Sequence, residues 1–227
     1  MKEQLKCVLP VLLLLNCTSN LKLSKEYSSG DFRNKSLTVR FVDDSVYINY
    51  VGNLENEFGI ANTNLKIKTF LMDRVIDYLK PTTYFSPIIT SNSKLEYTIK
   101  REIKSDFKGE KEKFDTTIIR YPNYVHPKYP TDTTDVTLFF ENTKILSYPG
   151  ANVLLVGFMP VAALPSKPLV IKSLALFWDN KKNRVISSGN IEAYVDDKTE
   201  VTLSTWRDAI IIFCQKLLDK MPFSRYK

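Results

Sequence analysis

The chain has 227 residues, with 32 lysines and arginines against 25 aspartates and glutamates, and a formal net charge of +7 at pH 7. Hydrophobic residues make up 44% of the sequence and aromatic residues 12%, and there are only 7 glycines. This composition excludes a mainly disordered chain and is sufficient for one substantial core, so we predict a single basic globular domain.

The amino terminus has the features of an export signal. Lys2 and Lys6 precede a short apolar run at residues 8–15, and Cys17 follows where a processing site would fall. In a helix, this run would cover roughly 12 Å, far less than the ~30 Å hydrocarbon core of a bilayer. We therefore predict a signal peptide over residues 1–16 rather than a membrane span.

Leu14-Leu15-Asn16-Cys17 resembles the lipobox of bacterial lipoproteins, in which the cysteine becomes the first mature residue and is acylated. The resemblance implies lipid attachment at Cys17 and stable anchoring to a membrane, since several acyl chains hold a protein there. Because Thr18 rather than aspartate follows, it also implies export to the bacterial outer membrane, on its periplasmic or surface face. Asn16 stands where the family usually has glycine, alanine or serine, and a plain secretory signal with a chance cysteine is the alternative interpretation.

Residues 17–35 are rich in Ser, Asn and Lys, which predicts a flexible tether between the lipid and a globular domain at 36–227. The domain opens with β-branched and aromatic residues at 37–42 and 46–51, which predict two strands around a turn at 43–45.

Two helices are predicted from apolar residues at helical spacing. The first runs from about 62 to 80 and is ended by Pro81. The second runs from about 205 to 221 and begins with a capping box at 205–208. Its Trp206 is predicted to lie in the core rather than to form a ligand platform.

The remaining segments predict a sheet. Residues 83–89 suggest a strand, and the alternating acids and bases of 94–113 suggest a solvated helix or strand face rather than a basic binding patch. Four further segments are strand-like or apolar, and their short connectors favour antiparallel neighbours: 135–146, 152–159, 169–178 and 184–195. The third of these is apolar on both faces, which predicts a central strand. Residues 151–161 are equally consistent with a short buried helix.

The predicted fold class is therefore α/β of the α+β type, with a mixed, largely antiparallel sheet packed by the two helices. Residues 174–194, followed by the last helix, resemble a strand, Asp-containing turn, strand and helix pattern of other envelope proteins. These are the penicillin-binding-protein activator lipoproteins, the curli-secretion lipoprotein and the N-terminal domain of TolB. The resemblance implies an α/β sandwich but no particular partner.

No catalytic or cofactor motif is present: there is no nucleophile elbow, phosphate-binding loop or dinucleotide fingerprint. Cys7 falls in the signal and Cys17 is the lipid candidate, so only Cys214 remains, in an apolar helix where a cysteine packs as a small hydrophobe. His126 is the only histidine, which excludes a Cys/His zinc site. We expect no catalytic residues, metal or cofactor. The candidate carboxylates all lie beside predicted turns, where Asp favours local hydrogen bonds: Asp43, Asp44, Asp179, Asp196 and Asp197.

Residues 121–130 are rich in Tyr and Pro and are predicted either as a partner-binding loop or as an ordered connector. The candidate partner-binding side chains are those of Tyr121, Tyr124, His126 and Tyr129. Basic residues cluster in a predicted hairpin turn and at the carboxyl terminus: Lys181, Lys182, Arg184, Arg225 and Lys227.

These features predict a membrane-anchored, non-enzymatic binding or assembly module of the cell envelope. Its partner would be an envelope protein or a cell-wall component, contacted through the exposed sheet edge or the Tyr/Pro loop. The alternatives are a surface-exposed lipoprotein that binds external ligands such as anionic membranes, and an envelope hydrolase. Nucleic acid is not an expected partner, because the sequence has no basic groove with interleaved aromatic residues.

Overall fold

The computed structural model describes residues 21–42, 46–49, 64–91, 97–104, 115–122, 133–147, 150–156, 159–166, 169–195 and 201–225. Two α-helices lie in these ranges, α1 (Asn64–Thr82) and α2 (Leu203–Leu218), together with a short 3-10 helix (Lys25–Tyr27). The strands are β1 (Lys22–Leu23), β2 (Leu37–Phe41), β3 (Tyr47–Asn49), β4 (Ile88–Thr90), β5 (Tyr97–Lys104), β6 (Asp115–Pro122), β7 (Val136–Ser147), β8 (Gly150–Val156), β9 (Met159–Ser166), β10 (Leu169–Asp179) and β11 (Arg184–Val195).

Seven of the described strands form one mixed sheet in the order β1-β11-β10-β7-β2-β4, with β3 also paired to β7. The neighbours from β1 to β7 are antiparallel, whereas β2 and β3 run parallel to β7 and β4 runs parallel to β2. Together with the two helices, this confirms the predicted α+β class. None of the described helices is both long and apolar enough to cross a bilayer.

Both helices bury their apolar residues against one face of this sheet. On β10, the central strand, Ile171, Ala175 and Phe177 are fully buried in the main core beneath the helices. The opposite face of the same strand carries Leu174 and Trp178, which belong to a second, smaller buried cluster. The prediction of a central strand covered on both faces is confirmed.

The first two predicted strands are both present, and they share one partner strand. Leu37 of β2 lies opposite Val136 of β7, and Tyr47 of β3 lies opposite Lys144 of the same strand. The chain therefore follows β7 in two successive stretches, and the predicted turn at 43–45 lies outside the described residues. A long neighbouring strand provides enough backbone partners for both segments, and local turn residues alone do not reveal this.

Helix α1 continues past the predicted stop at Pro81 and ends at Thr82. A proline lacks one amide hydrogen bond, a cost that is small in the last turn of a helix when other groups close the end. Here the Thr82 hydroxyl donates to the carbonyl of Tyr78 at 2.6 Å, and the Thr83 amide donates to that of Leu79 at 3.0 Å.

Helix α2 has its capping box earlier than predicted. Thr202 is the N-cap, its hydroxyl accepts from the amide of Thr205, and the Thr205 hydroxyl accepts from the Thr202 amide. Thr205 is therefore the third helical residue, and the helix ends at Leu218 rather than at 221. The buried Trp206 confirms the prediction of a core role.

Two further antiparallel strand pairs lie in segments whose sequence is consistent with either helix or strand. Within the acid and base alternation of 94–113, β5 is a strand that pairs antiparallel with β6, with Tyr97 opposite Pro122. Residues 150–156 and 159–166 form the β8–β9 hairpin, so the described part of 151–161 is strand rather than buried helix.

The prediction of a flexible tether is wrong for residues 21–35. Lys22 and Leu23 pair with Ser188 and Ser187 as an edge strand. Downstream, Tyr27 is only 4% and Phe32 only 2% exposed, both within the main core. Two buried aromatic side chains are enough to fix a segment whose average composition is polar. Cys17 lies outside the described residues.

Candidate functional site

Three segments that are distant in sequence meet at one end of the main sheet, which we call the basic end. It consists of the β10–β11 turn (residues 179–184), the segment 25–35 and the carboxy-terminal segment 221–225. Strand directions bring them together, because Asp179 at the end of β10 lies opposite both Arg184 and Val136. The carboxy-terminal segment joins through a bridge between Thr83 and Ser224.

Asp179 organises the turn. One oxygen of its buried carboxylate accepts from the amides of Lys181 and Lys182 at 3.0 and 2.9 Å, and the other accepts from the Tyr27 hydroxyl at 3.0 Å. Burial, together with the hydrogen bond to this carboxylate, raises the pKa of Tyr27 well above its usual value. The ammonium group of Lys182 lies 5.1 Å from the centre of the Tyr27 ring. Asp179 thus makes the local turn contacts that its position in the sequence predicts.

A second carboxylate joins the same turn to the amino end of β2. Asp135 accepts from the backbone and hydroxyl of Ser36, both at 2.9 Å, and forms an ion pair with Lys181 at 2.6 Å. The hydrogen bond from Lys181 and the one from the Ser36 backbone lower the pKa of Asp135 to about 2 against the opposing effect of burial. In return, Asp135 raises the pKa of Lys181. These contacts link residues 99 apart in sequence and hold the turn in place.

Aromatic packing attaches the carboxy-terminal segment. The ring of Phe223 lies 4.6 Å from that of Phe177, 5.3 Å from Phe32 and 5.0 Å from Phe85. Close packing leaves no room for a side chain at Gly30, where a Cβ would lie 2.9 Å from the Phe32 ring. The segments of the basic end are therefore parts of one rigid core edge.

A cleft of about 860 Å³ opens beside this aromatic cluster. Arg33 and Tyr84 line the cleft, and the guanidinium groups of Arg33 and Arg225 lie 6.0 and 5.7 Å from the centre of the half-buried Tyr84 ring. Guanidinium groups bind carboxylates and phosphates through paired hydrogen bonds. Because Asp31 and Asp219 also line the cleft, its charge is mixed. The arrangement suits an anionic group of modest size near Tyr84.

A second, more apolar groove of about 560 Å³ lies between α1 and α2. Phe70, Trp206, Ile210 and Leu203 contribute to its lining, and Leu203 is 54% exposed. Within the described ranges, no group of three His, Cys, Asp or Glu side chains is placed to hold a metal ion.

The predicted partner-binding loop falls mostly outside the described residues, which include neither Tyr124, His126 nor Tyr129. The backbone of Tyr121 lies in β6 opposite Thr98. Cys214 is fully buried in the core, and burial raises the pKa of its thiol.

The structure places at one end of the sheet basic residues that form two separate clusters in the sequence: Lys181, Lys182, Arg184 and Arg225. It adds residues that the sequence analysis did not select: Tyr27, Arg33, Tyr84 and Asp135. A Thr-Thr-Asp sequence before a strand marks Asp135 as a turn residue. The other three have no local signal, because their roles depend on contacts between distant segments. No protein-family model matches the chain, and no curated protein shows significant similarity to it.

Proposed function

We propose that the protein is a lipid-anchored envelope protein that acts as a non-enzymatic binding or assembly module, held to a bacterial membrane through Cys17. The observation that carries this proposal is the structure of the basic end. There, Asp179 and Asp135 hold the turn that carries Lys181 and Lys182, and aromatic packing of Phe223 holds the segment that carries Arg225. A preformed charged surface of this kind favours recognition, because little side-chain and loop ordering is needed on binding.

The roles of the reactive side chains also favour binding over catalysis. Asp179 accepts hydrogen bonds that shape the turn, and Asp135 is engaged by Ser36 and Lys181. A general acid or base at neutral pH needs a pKa near 7, whereas the pKa of Asp135 is about 2. The thiol of Cys214 is buried and its pKa is raised, which disfavours the thiolate required of a nucleophile.

A second candidate function is recognition of an external ligand at the cell surface. It is favoured by the two guanidinium groups near Tyr84, those of Arg33 and Arg225, because guanidinium groups bind carboxylates and phosphates. Digestion of intact cells by an added protease separates the two candidates. Loss of the protein would favour the surface function, and survival until the outer membrane is permeabilised would favour a periplasmic partner.

The anchor is tested by measuring the mass of the mature amino-terminal peptide from a membrane fraction. We expect a peptide that begins at Cys17 and carries acyl chains. A Cys17→Ala variant should lack this mass and should leave the membrane fraction. An unmodified amino terminus on soluble protein would refute the proposal.

A further inference from the structure

We propose that the groove between α1 and α2 and the cleft beside Tyr84 form one site for a single-chain amphiphile. The groove takes an alkyl tail, and the cleft takes a zwitterionic headgroup that carries a phosphate and an ammonium group. The inference rests on the proposed binding function, for which it names a class of ligand, but it does not depend on the lipid at Cys17.

The first step is that the two cavities adjoin along the helices. Tyr78 of α1 lines both of them. On α2, Ile211 lines the groove and Gln215, about one helical turn further along, lines the cleft. The last turns of both helices reach the cleft through Thr82 and Leu218. A ligand longer than the groove therefore continues past Tyr78 into the cleft.

The second step is the length of the apolar part. Along α2 the groove is lined from Leu203 to Ile211, which corresponds to about 12 Å of helix. Phe70, Trp206 and Ile210 contribute to a lining that is mostly apolar, where the backbone amides of an extended peptide would lack partners. Carbon–carbon bonds of about 1.5 Å give an extended alkyl chain a rise of about 1.3 Å per carbon, so about ten carbons match this length.

The third step is the charge of the cleft. Its lining includes two bases, Arg33 and Lys220, and two acids, Asp31 and Asp219. The guanidinium group of Arg33 lies 6.0 Å from the centre of the Tyr84 ring and is suited to bind a phosphate through paired hydrogen bonds. Asp219 is the C-cap of α2, where the partial negative charge of the helix end adds to that of its carboxylate. A headgroup with both signs of charge complements this lining, whereas a purely anionic one would face two carboxylates.

Calorimetric titration with a series of alkylphosphocholines tests the tail. The full chain with the substitution Cys17→Ala is used, because it carries no acyl chains of its own, and each probe is kept below the concentration at which it forms micelles. We expect the affinity to rise by up to about fourfold for each methylene group buried in the groove. The rise should stop near ten carbons. An affinity that is independent of chain length, or that rises steadily to about fourteen carbons, would overturn the proposal.

The substitution Leu203→Glu tests the groove. Leu203 is 54% exposed at the first position of α2, where a carboxylate favours the helix, so the fold should be kept. The variant should bind decylphosphocholine about tenfold more weakly and butylphosphocholine nearly as well as before. Tyr47→Glu is the matched control, because Tyr47 is 57% exposed and lies on β3 rather than at the groove. Equal losses in the two variants would overturn the proposal.

A second pair of variants tests the headgroup. Arg33→Gln should weaken the binding of decylphosphocholine about tenfold, but not that of decyltrimethylammonium, which has no phosphate. Lys25→Gln is the control, because it removes an exposed charge from outside the cleft lining. Equal effects of the two substitutions would indicate general electrostatic attraction and would overturn the proposal.

The failure of this inference is distinguishable from failure of the proposed function. If no probe binds, the inference is wrong, whereas the anchor is judged separately by the lipid mass on Cys17. A dimer that dissociates in Leu203→Glu would assign the groove to a second copy of the chain and would also overturn the inference.

Discussion

Replacing Asp135 by asparagine is expected to destabilise the protein and to remove part of its dependence on pH. The carboxylate accepts two hydrogen bonds from Ser36 and pairs with Lys181 at 2.6 Å, while its side chain is only 23% exposed. Asparagine has nearly the same shape, but it carries no charge to attract Lys181 and is a weaker acceptor.

The magnitude follows from the pKa of Asp135, which falls from an ordinary 3.8 to about 2 on folding. This difference corresponds to about 2 kcal/mol of free energy of unfolding. Because the folded-state pKa is the lower one, the contribution is complete above about pH 5 and is lost as the pH falls through 3.8 toward 2. The Asp135→Asn variant should therefore be less stable by about 2 kcal/mol at pH 7 but by only about 1 kcal/mol at pH 3.

Urea unfolding of both proteins between pH 7 and pH 3 measures this difference. Asp77→Asn is the control, because Asp77 is 60% exposed and lies 3.6 Å from Arg74 on the surface of α1. Its effect should stay below about 0.5 kcal/mol at every pH. A difference between wild type and Asp135→Asn that does not change with pH would refute the argument from the charge of Asp135.

Substitutions at three positions and one labelling experiment test the core, the turn and the helix cap. Tyr27→Phe should cost about 1–3 kcal/mol in urea unfolding, because it leaves one oxygen of buried Asp179 without its donor; an unchanged stability would contradict this role. Phe223→Ala should cost about 3–5 kcal/mol in the same assay, since its ring contacts three others, and a loss below 1 kcal/mol would show that the carboxy-terminal segment is not part of the core. Thr202→Ala should lower stability by about 1 kcal/mol through loss of the helix cap, whereas Thr202→Ser should preserve most of it. The thiol of Cys214 should react with a thiol reagent only at the rate of unfolding, so rapid labelling of the native protein would contradict its burial.

Sequence patterns predict those parts of the fold whose signal is local and strong. The apolar residues of α2 predict a helix packed on the core, and the two apolar faces of β10 predict a central strand. Both predictions are confirmed. The ends of the two helices are less well predicted, because they depend on single hydrogen bonds from polar side chains. Thr202 rather than Thr205 caps α2, and Thr82 extends α1 past Pro81.

Pairing between distant segments could not be predicted in the same way. Strands β2 and β3 both pair in parallel with β7, opposite Val136 and Lys144, and nothing local to the two segments indicates this shared partner. The polar composition of residues 21–35 concealed two aromatic side chains, Tyr27 and Phe32, that place this segment in the core. The average composition of a segment does not show whether the segment is buried when a few large side chains supply most of the buried area.

The composition of the basic end could not be predicted from the sequence either, because it also depends on contacts between distant segments. Charge alone identifies Lys181, Lys182 and Arg184 as one cluster and Arg225 as part of another. Nothing in the sequence of either cluster indicates that both lie at the same end of the sheet. They lie at the same end of the sheet because Phe223, two residues before Arg225, packs against Phe177, two residues before Asp179. The surface charge of the molecule is thus set by contacts in its core.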